Sequence, residues 1–302
     1  MFAKVLAPTD FAPWSDAALA LLRPLYALGT REVTLLHVVD PRPYFPWTDF
    51  VADADRRLES EAWRELDARR ATLADLDWNV RTRVRHGVPV EEIVRAAIEE
   101  QAELILMGSR RTTFLRQVVL GSVSENVIRH APVPVLLGKW WPDAPPPERG
   151  GPFEHVLLPT DFSPCAEKAF RCLVGLAGGG LRRAILLHVQ DVRLPGSAEF
   201  NTDGRGLDVG VLEEIADGDR LAAWQKELER LGVEVRVLVR EGLPYREILR
   251  TSEEHHVSAI VLGSHGKSSM AEILLGSVSG EVVRQARVPT LVVRRDLDGE
   301  PA

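Results

Sequence analysis

Short apolar runs and longer amphipathic stretches alternate along this chain, and the whole alternation occurs twice. In the first half, apolar runs predict strands near 3–8, 32–38, 78–84, 103–107 and 133–137. Helical spacing of apolar residues predicts helices near 15–28, 55–74, 89–100 and 122–130. In the second half, strands are predicted near 154–159, 183–189, 233–239, 258–262 and 289–294. The helices that alternate with them fall near 164–176, 211–231, 244–255 and 277–286. The strand runs read as continuously apolar, as parallel strands covered on both faces do. Strand–helix alternation of this kind predicts a doubly wound α/β sheet.

The duplication is visible residue by residue. Val5-Leu6 and Pro8-Thr9-Asp10-Phe11 return as Val156-Leu157 and Pro159-Thr160-Asp161-Phe162, and Leu35-Leu36-His37-Val38 returns as Leu186-Leu187-His188-Val189, both 151 residues later. Leu120-Gly121-Ser122-Val123-Ser124 returns as Leu275-Gly276-Ser277-Val278-Ser279, 155 residues later, so four residues are inserted on the way. A period this long indicates duplicated domains and not a solenoid. The boundaries read as 1–140 for the first domain and 153–295 for the second. A linker at 141–152 holds Pro145-Pro146-Pro147 and Gly150-Gly151. Residues 41–53 and 192–210, each following a second strand, match neither period and could form a lid or a partner contact.

The stretch from Ala259 to Gln285 holds the candidate chemistry. An apolar run ends on Gly263, Gly266 follows, and Gly276-Ser277 precede an amphipathic helix with Ser277 at the expected N-cap. A strand, a glycine-bearing loop and a helix start make an anion cradle, because backbone N–H groups approach without a Cβ and the helix dipole adds positive potential. Gly266-Lys267-Ser268 imitates the end of a Walker A loop, but the glycine that motif needs is replaced by Val261. The spacing Gly-x2-Gly-x9-Gly-Ser instead resembles the nucleotide signature of the universal stress protein family, in its ATP-binding branch.

That resemblance covers nearly the whole chain, as two domains in tandem, each a five-stranded parallel sheet of order 3-2-1-4-5. It implies a cytoplasmic adenine-nucleotide-binding protein with a stress-response or regulatory role. The ligand would be ATP, or ADP or AMP, with magnesium or manganese arriving on the nucleotide. Ligands of open α/β sheets bind where strand order reverses, which places Asp161 and Gly263 on one crevice. By the resemblance, Pro159, Asp161 and the backbone at Val189 would hold the base and ribose. Gly263, Gly266, Gly276, Ser277, Val278 and Ser279 would hold ribose and phosphates. His265 reads either as a solvated loop residue or as a phosphate contact. In the first copy the matching positions are Asp10, Gly108, Arg111, Gly121, Ser122 and Ser124, with a capping box from Ser122 to Glu125. Arg111 stands where the second glycine should be, so the first site is expected to be degenerate. The family's dimerisation along strand five implies an intramolecular pseudo-dimer here, and leaves a homodimer open.

Composition narrows the remaining classes. A net charge of −7 and a pI near 5.7 argue against non-specific nucleic-acid binding. No apolar run approaches the roughly 20 residues of a membrane span, and the first residues lead straight into a strand, so the cytoplasm is the expected compartment. Cys165 and Cys172, seven apart on one predicted helix, lie about 10 Å apart and too far for a disulfide. They read as buried small hydrophobes. His37 and His188 read as buried histidines satisfied by backbone carbonyls. Neither a nucleophile elbow nor a protein-only metal site is visible, which favours a binding module. A slow ATP hydrolase using the same pocket, and a scaffold that binds no nucleotide, are the competing classes.

Overall fold

The computed structural model describes residues 1–40, 51–109, 120–139, 151–191, 209–265 and 275–294. Most of the expected linker and of the two irregular stretches, with Gly266 and Arg111, lie outside them. Two compact units emerge among the described residues: 1–139 with Pro289–Val292, and 151–288 with Val293 and Arg294.

The first unit contains β1 (Lys4–Pro8), α1 (Pro13–Leu19), α2 (Leu22–Ala27), β2 (Glu32–Val39), α3 (Val51–Ala71), β3 (Asn79–His86), α4 (Pro89–Glu99), β4 (Leu104–Ser109), α5 (Ser122–His130) and β5 (Val135–Lys139). Its five strands are parallel in the order β3-β2-β1-β4-β5. The second unit repeats the plan with β6 (His155–Thr160), α6 (Pro164–Ala177), β7 (Arg183–Asp191), α7 (Val209–Arg230), β8 (Glu234–Gly242), α8 (Pro244–Glu254), β9 (Ala259–Gly263) and α9 (Ser277–Gln285). Its parallel strands run β8-β7-β6-β9. The last strand, β10 (Thr290–Val293), lies antiparallel on β5, with Leu291 opposite Leu136.

Two local expectations change. The single helix expected at 15–28 is two short ones, α1 and α2. Pro24 explains the break: it lacks an N–H, and its ring crowds the carbonyl of Ala20 one turn earlier. Uniformly apolar strands hold in the middle of each sheet but not at β3, where Arg81, Arg83 and Arg85 alternate with Val80, Thr82 and Val84, nor at β8, which carries Arg236 and Arg240. These are edge strands, and the arginines satisfy glutamates of the following helix instead of entering the core. Arg85 reaches Glu92 at 3.4 Å, and Arg240 reaches Glu247 at 3.4 Å and Glu254 at 2.6 Å. Charge along an edge also opposes pairing with a stray strand.

The switch point of the second unit lies between β6 and β9, where Val156 pairs with Ala259 and Leu157 with Ile260. α6 begins just beyond it and rests directly on the end of β9. A Cβ on Gly263 would stand 2.8 Å from the carbonyl carbon and the Cβ of Cys165. Gly108 meets α1 in the same way, its imagined Cβ 2.3 Å from the carbonyl oxygen of Trp14. This glycine position is therefore set by helix–strand packing. Gly263→Ala is expected to lower stability by about 1–3 kcal/mol, read as an earlier urea midpoint at unchanged slope; an unshifted midpoint would contradict the packing account.

Both cysteines are buried and unpaired on α6, and burial pushes the Cys172 thiol up to about 12. A thiol reagent at pH 8 should find neither in the native protein and both after denaturation. Rapid labelling of Cys172 in the native state would show that α6 is not packed as described.

Candidate functional site

The site grows from the turn that follows β6. Thr160 Oγ1 accepts the N–H of Phe162 at 2.9 Å, and Asp161 Oδ1 accepts the N–H of Ser163 at 3.0 Å. Phe162 takes a left-handed φ of +57°, a conformation that costs a residue with a side chain about 1–2 kcal/mol. It drives the Phe162 ring into the core while Asp161, only partly buried, stays at the mouth of the sheet. His188, near the end of β7, shares a 2.9 Å hydrogen bond with the carbonyl of Thr160. A carbonyl only accepts, so Nδ1 carries the proton. His37 does the same to Thr9 at 2.8 Å, so both histidines hold the turn from below.

Ser163 then joins two elements. It caps α6, accepting the N–H of Ala166 at 3.3 Å, and its hydroxyl donates to the carbonyl of His265 at 3.2 Å. The turn after β6 and the loop after β9 are thereby fastened together, with Asp161 on one side and His265 on the other. The Ser-Pro start of α6 is a readable cap signal, yet Ser163 was not among the residues singled out from the sequence.

The far wall is the start of α9. Gly276 donates its N–H to the carbonyl of Ser264 at 2.9 Å, and Ser264 donates its own to Val293 at 2.9 Å. Gly276, not Ser277, is the N-cap, and no side chain caps the helix. Ser277 is its exposed first residue, and the first bond of the helix runs from Gly280 to Gly276 at 2.7 Å. The N–H groups of Ser277, Val278 and Ser279 thus belong to the first turn, which has no intrahelical acceptors for them. The Ser279 hydroxyl is spent on the carbonyl of Gly263 at 2.8 Å. The capping box expected in the first copy is likewise absent: Gly121 is the N-cap of α5 without a side-chain bond, and Glu125 pairs with Arg129.

His265 departs from the solvated reading. Its Nδ1 meets the Ser264 hydroxyl at 2.8 Å, while Nε2 is buried with no hydrogen-bond partner among the described residues. Burial, and then the nearby Arg294, hold its pKa below the usual histidine value, so the neutral ring is favoured. The Arg294 guanidinium is itself pulled down by burial. A desolvated ring nitrogen and a half-buried cation beside a helix start suit an arriving anion.

The two copies differ at the aspartate in a way that spacing did not reveal. Asp10 is held by its own turn: it accepts the N–H of Ala12 at 3.2 Å, the indole N–H of Trp14 at 3.1 Å and the hydroxyl of Ser15. Cys165 and Ala166 occupy the positions of Trp14 and Ser15 in the second copy, and neither supplies such donors. The first copy does contain a cavity of about 250 Å³ at the ends of β1 and β2, over α3, reached by Phe11, His37 and Val38. Asp40, Glu61 and Glu65 line it as well, together with Arg64. Pro159 and Val189 sit half-buried at the ends of β6 and β7, as Gly108 and Gly121 do in the first copy, while Ser122 is exposed and Ser124 donates to Gly108 at 3.3 Å. Among the described residues no group of three or more His, Cys, Asp or Glu could hold a metal, and no helix is long and apolar enough to cross a membrane.

Comparison with known proteins agrees with this architecture. The model of the universal stress protein family matches residues 1–139 and again 152–294. A universal stress protein of Mycobacterium bovis, Mb2028c, is 30% identical over 306 residues, covering 96% of this chain and 97% of the relative. The universal stress protein MJ0577 of Methanocaldococcus jannaschii is 33% identical over 155 residues, covering 47% of this chain and 96% of its own length. The crystal structure of a universal stress protein from Archaeoglobus fulgidus superposes with a TM-score of 0.73 at 26% identity, over 98% of this chain and 99% of that one. With both repeats matched and the whole length shared, the chain belongs to the universal stress protein family.

Proposed function

We propose that the second repeat binds one adenine nucleotide, ATP in the first place with ADP or AMP as other occupants, and that the chain serves a cytoplasmic stress-response or regulatory role. The observation that carries this reading is the Ser163–His265 clasp. It joins the aspartate turn after β6 to the loop between β9 and α9, so a ribose-side carboxylate and a phosphate-side helix start share one crevice. Asp161 and the backbone around Val189 would take the ribose and base. The first-turn N–H groups of α9, beside Gly276, would take the phosphates. His265 would present its buried Nε2 to the same oxygens.

The arrangement supports holding a nucleotide more than cleaving it. Ser264 is buried and bonded to His265, and Asp161 is tied to a backbone N–H, so neither is poised to activate water. A magnesium or manganese ion would enter with the nucleotide, held by phosphates and water. The first repeat keeps the frame, but Asp10 is engaged by Trp14 and Ser15 and Arg111 replaces a glycine, which supports one tight site per chain. The tandem match supports reading the repeats as an intramolecular pseudo-dimer.

Two measurements follow. Denaturing the purified full chain should release an adenine nucleotide identifiable by mass spectrometry, and calorimetric titration of the emptied protein with ATP should give one tight site per chain. Two equivalent tight sites would overturn the asymmetry; a second site appearing in Arg111→Gly would support it. Gly276→Val, whose added Cβ would stand 3.2 Å from the carbonyl oxygen of Ser264 and 3.4 Å from Cα of His265 and so press the loop away from the helix start, should abolish ATP binding while far-ultraviolet dichroism stays that of the wild type. Undiminished affinity in that variant would remove the cradle from the reading.

A further inference from the structure

Two arginines stand 151 residues apart at the same place in the two repeats, outside the glycine signature. Arg220, on α7, lies over the ring of Phe162 at 4.6 Å from its centroid, and its Nη2 donates to the carbonyl of Phe162 at 3.3 Å. Arg69, on α3, lies over the ring of Phe11 at 4.8 Å and donates to its carbonyl at 3.2 Å. Each is anchored by an acid one turn into the helix after the first strand, Glu167 for Arg220 and Asp16 for Arg69. Phe11 shares the left-handed backbone of Phe162, at φ +62°.

The target of these contacts is the strained residue itself. Phe162 is gripped through its N–H by Thr160, through its carbonyl by Arg220, and through its ring by Arg220, His188 and Trp224. A disfavoured conformation persists only where its surroundings over-determine it, and such places gather at functional sites. The ion pair to Glu167 does not account for Arg220, because both side chains are well exposed, at 39% and 53%, and surface pairs contribute little. The grip on Phe162 instead fixes the peptide between Phe162 and Ser163, whose N–H holds Oδ1 of Asp161 at 3.0 Å, and so bears on the direction of the Asp161 carboxylate. The first copy has less need of this, since Trp14 and Ser15 hold Asp10 directly. In the second copy Cys165 and Ala166 stand at those positions, and the grip of Arg220 acts on the Ser163 peptide that holds Asp161.

We propose that Arg220 is a positioning residue of the nucleotide site, acting through Phe162 to aim Asp161 at the ribose end of the ligand. This rests on the reading of Asp161 as a nucleotide contact. The test is a double-mutant cycle on the full chain, with ATP as the titrant in calorimetry. Asp161→Ala should weaken ATP binding at least tenfold, and Arg220→Met should weaken it about tenfold, the weight of one well-placed charged hydrogen bond. The double variant should bind no worse than Asp161→Ala alone, because both changes remove one interaction. Arg220→Lys, which keeps a cation over the ring and a donor for the carbonyl, should recover most of the affinity. In addition, the preference of the wild type for ATP over 2′,3′-dideoxy-ATP should shrink in Arg220→Met, an effect that a loss of stability alone does not produce.

Wild-type affinity in Arg220→Met beside a weakened Asp161→Ala would overturn the proposal and leave the site reading intact. Losses that multiply in the double variant would overturn it as well. Unchanged binding in Asp161→Ala would bring down the site reading, and the proposal with it. Should Arg220→Met fail to fold, Arg220→Leu enters the same cycle with the same outcomes, since it too has neither a donor for the carbonyl nor a cation over the ring.

Discussion

The start of α6 can rest against the end of β9 only because Gly263 has no side chain, and the candidate site depends on that contact. With a Cβ there, the helix would have to move away from the strand by several tenths of an ångström or more. Ser163 would then lose its reach to the carbonyl of His265. The aspartate turn and the loop before α9 would no longer be one structure. A packing constraint at the bottom of the crevice thus decides whether polar groups at its top can act together.

Backbone strain is set one residue away from the group that would use it. Phe162 occupies the left-handed region so that Asp161 need not, and the core absorbs the cost through a ring packed among His188, Trp224 and Arg220. Trp224 is in turn stacked on Phe170 of α6, with centroids 4.2 Å apart and the planes 4° from parallel. The turn after β6 is therefore gripped by α6, α7 and β7 together. That rigidity suits a binding site, because side chains already in place lose little entropy when a ligand arrives.

The duplication kept this frame and changed its chemistry. The histidine-to-carbonyl bond, the left-handed phenylalanine and the arginine above it occur in both copies. Two substitutions beside the frame separate them. Trp14 and Ser15 add side-chain donors to Asp10, whereas Cys165 and Ala166 stand at those positions in the second copy. Both aspartates accept the backbone N–H two residues on, so the motif keeps its turn while the side chains around it differ.

The tandem α/β organisation and the carbonyl-bonded histidines were legible in the sequence, in local periodicity and in motifs repeated at a constant offset, whereas the strand order 3-2-1-4-5 came from the resemblance to the family. Pro24 and the Ser163-Pro164 pair carry signals for the helix break and the cap, but apolar periodicity alone predicted one helix over 15–28 and no particular cap. Other features were not legible. Gly276 and not Ser277 became the N-cap, because helix entry depends on how Ser264 and Val293 hold the preceding residues. The arginines of β3 and β8 stand in the sequence, but that these strands lie at an edge is decided only by the assembled sheet, which determines which strands lack a second neighbour. The burial of His265, the engagement of Asp10 and the contact of Gly263 with Cys165 needed the tertiary structure for one reason. They are set by distances between side chains or segments, and spacing along the sequence carries no record of how closely two such groups approach in space.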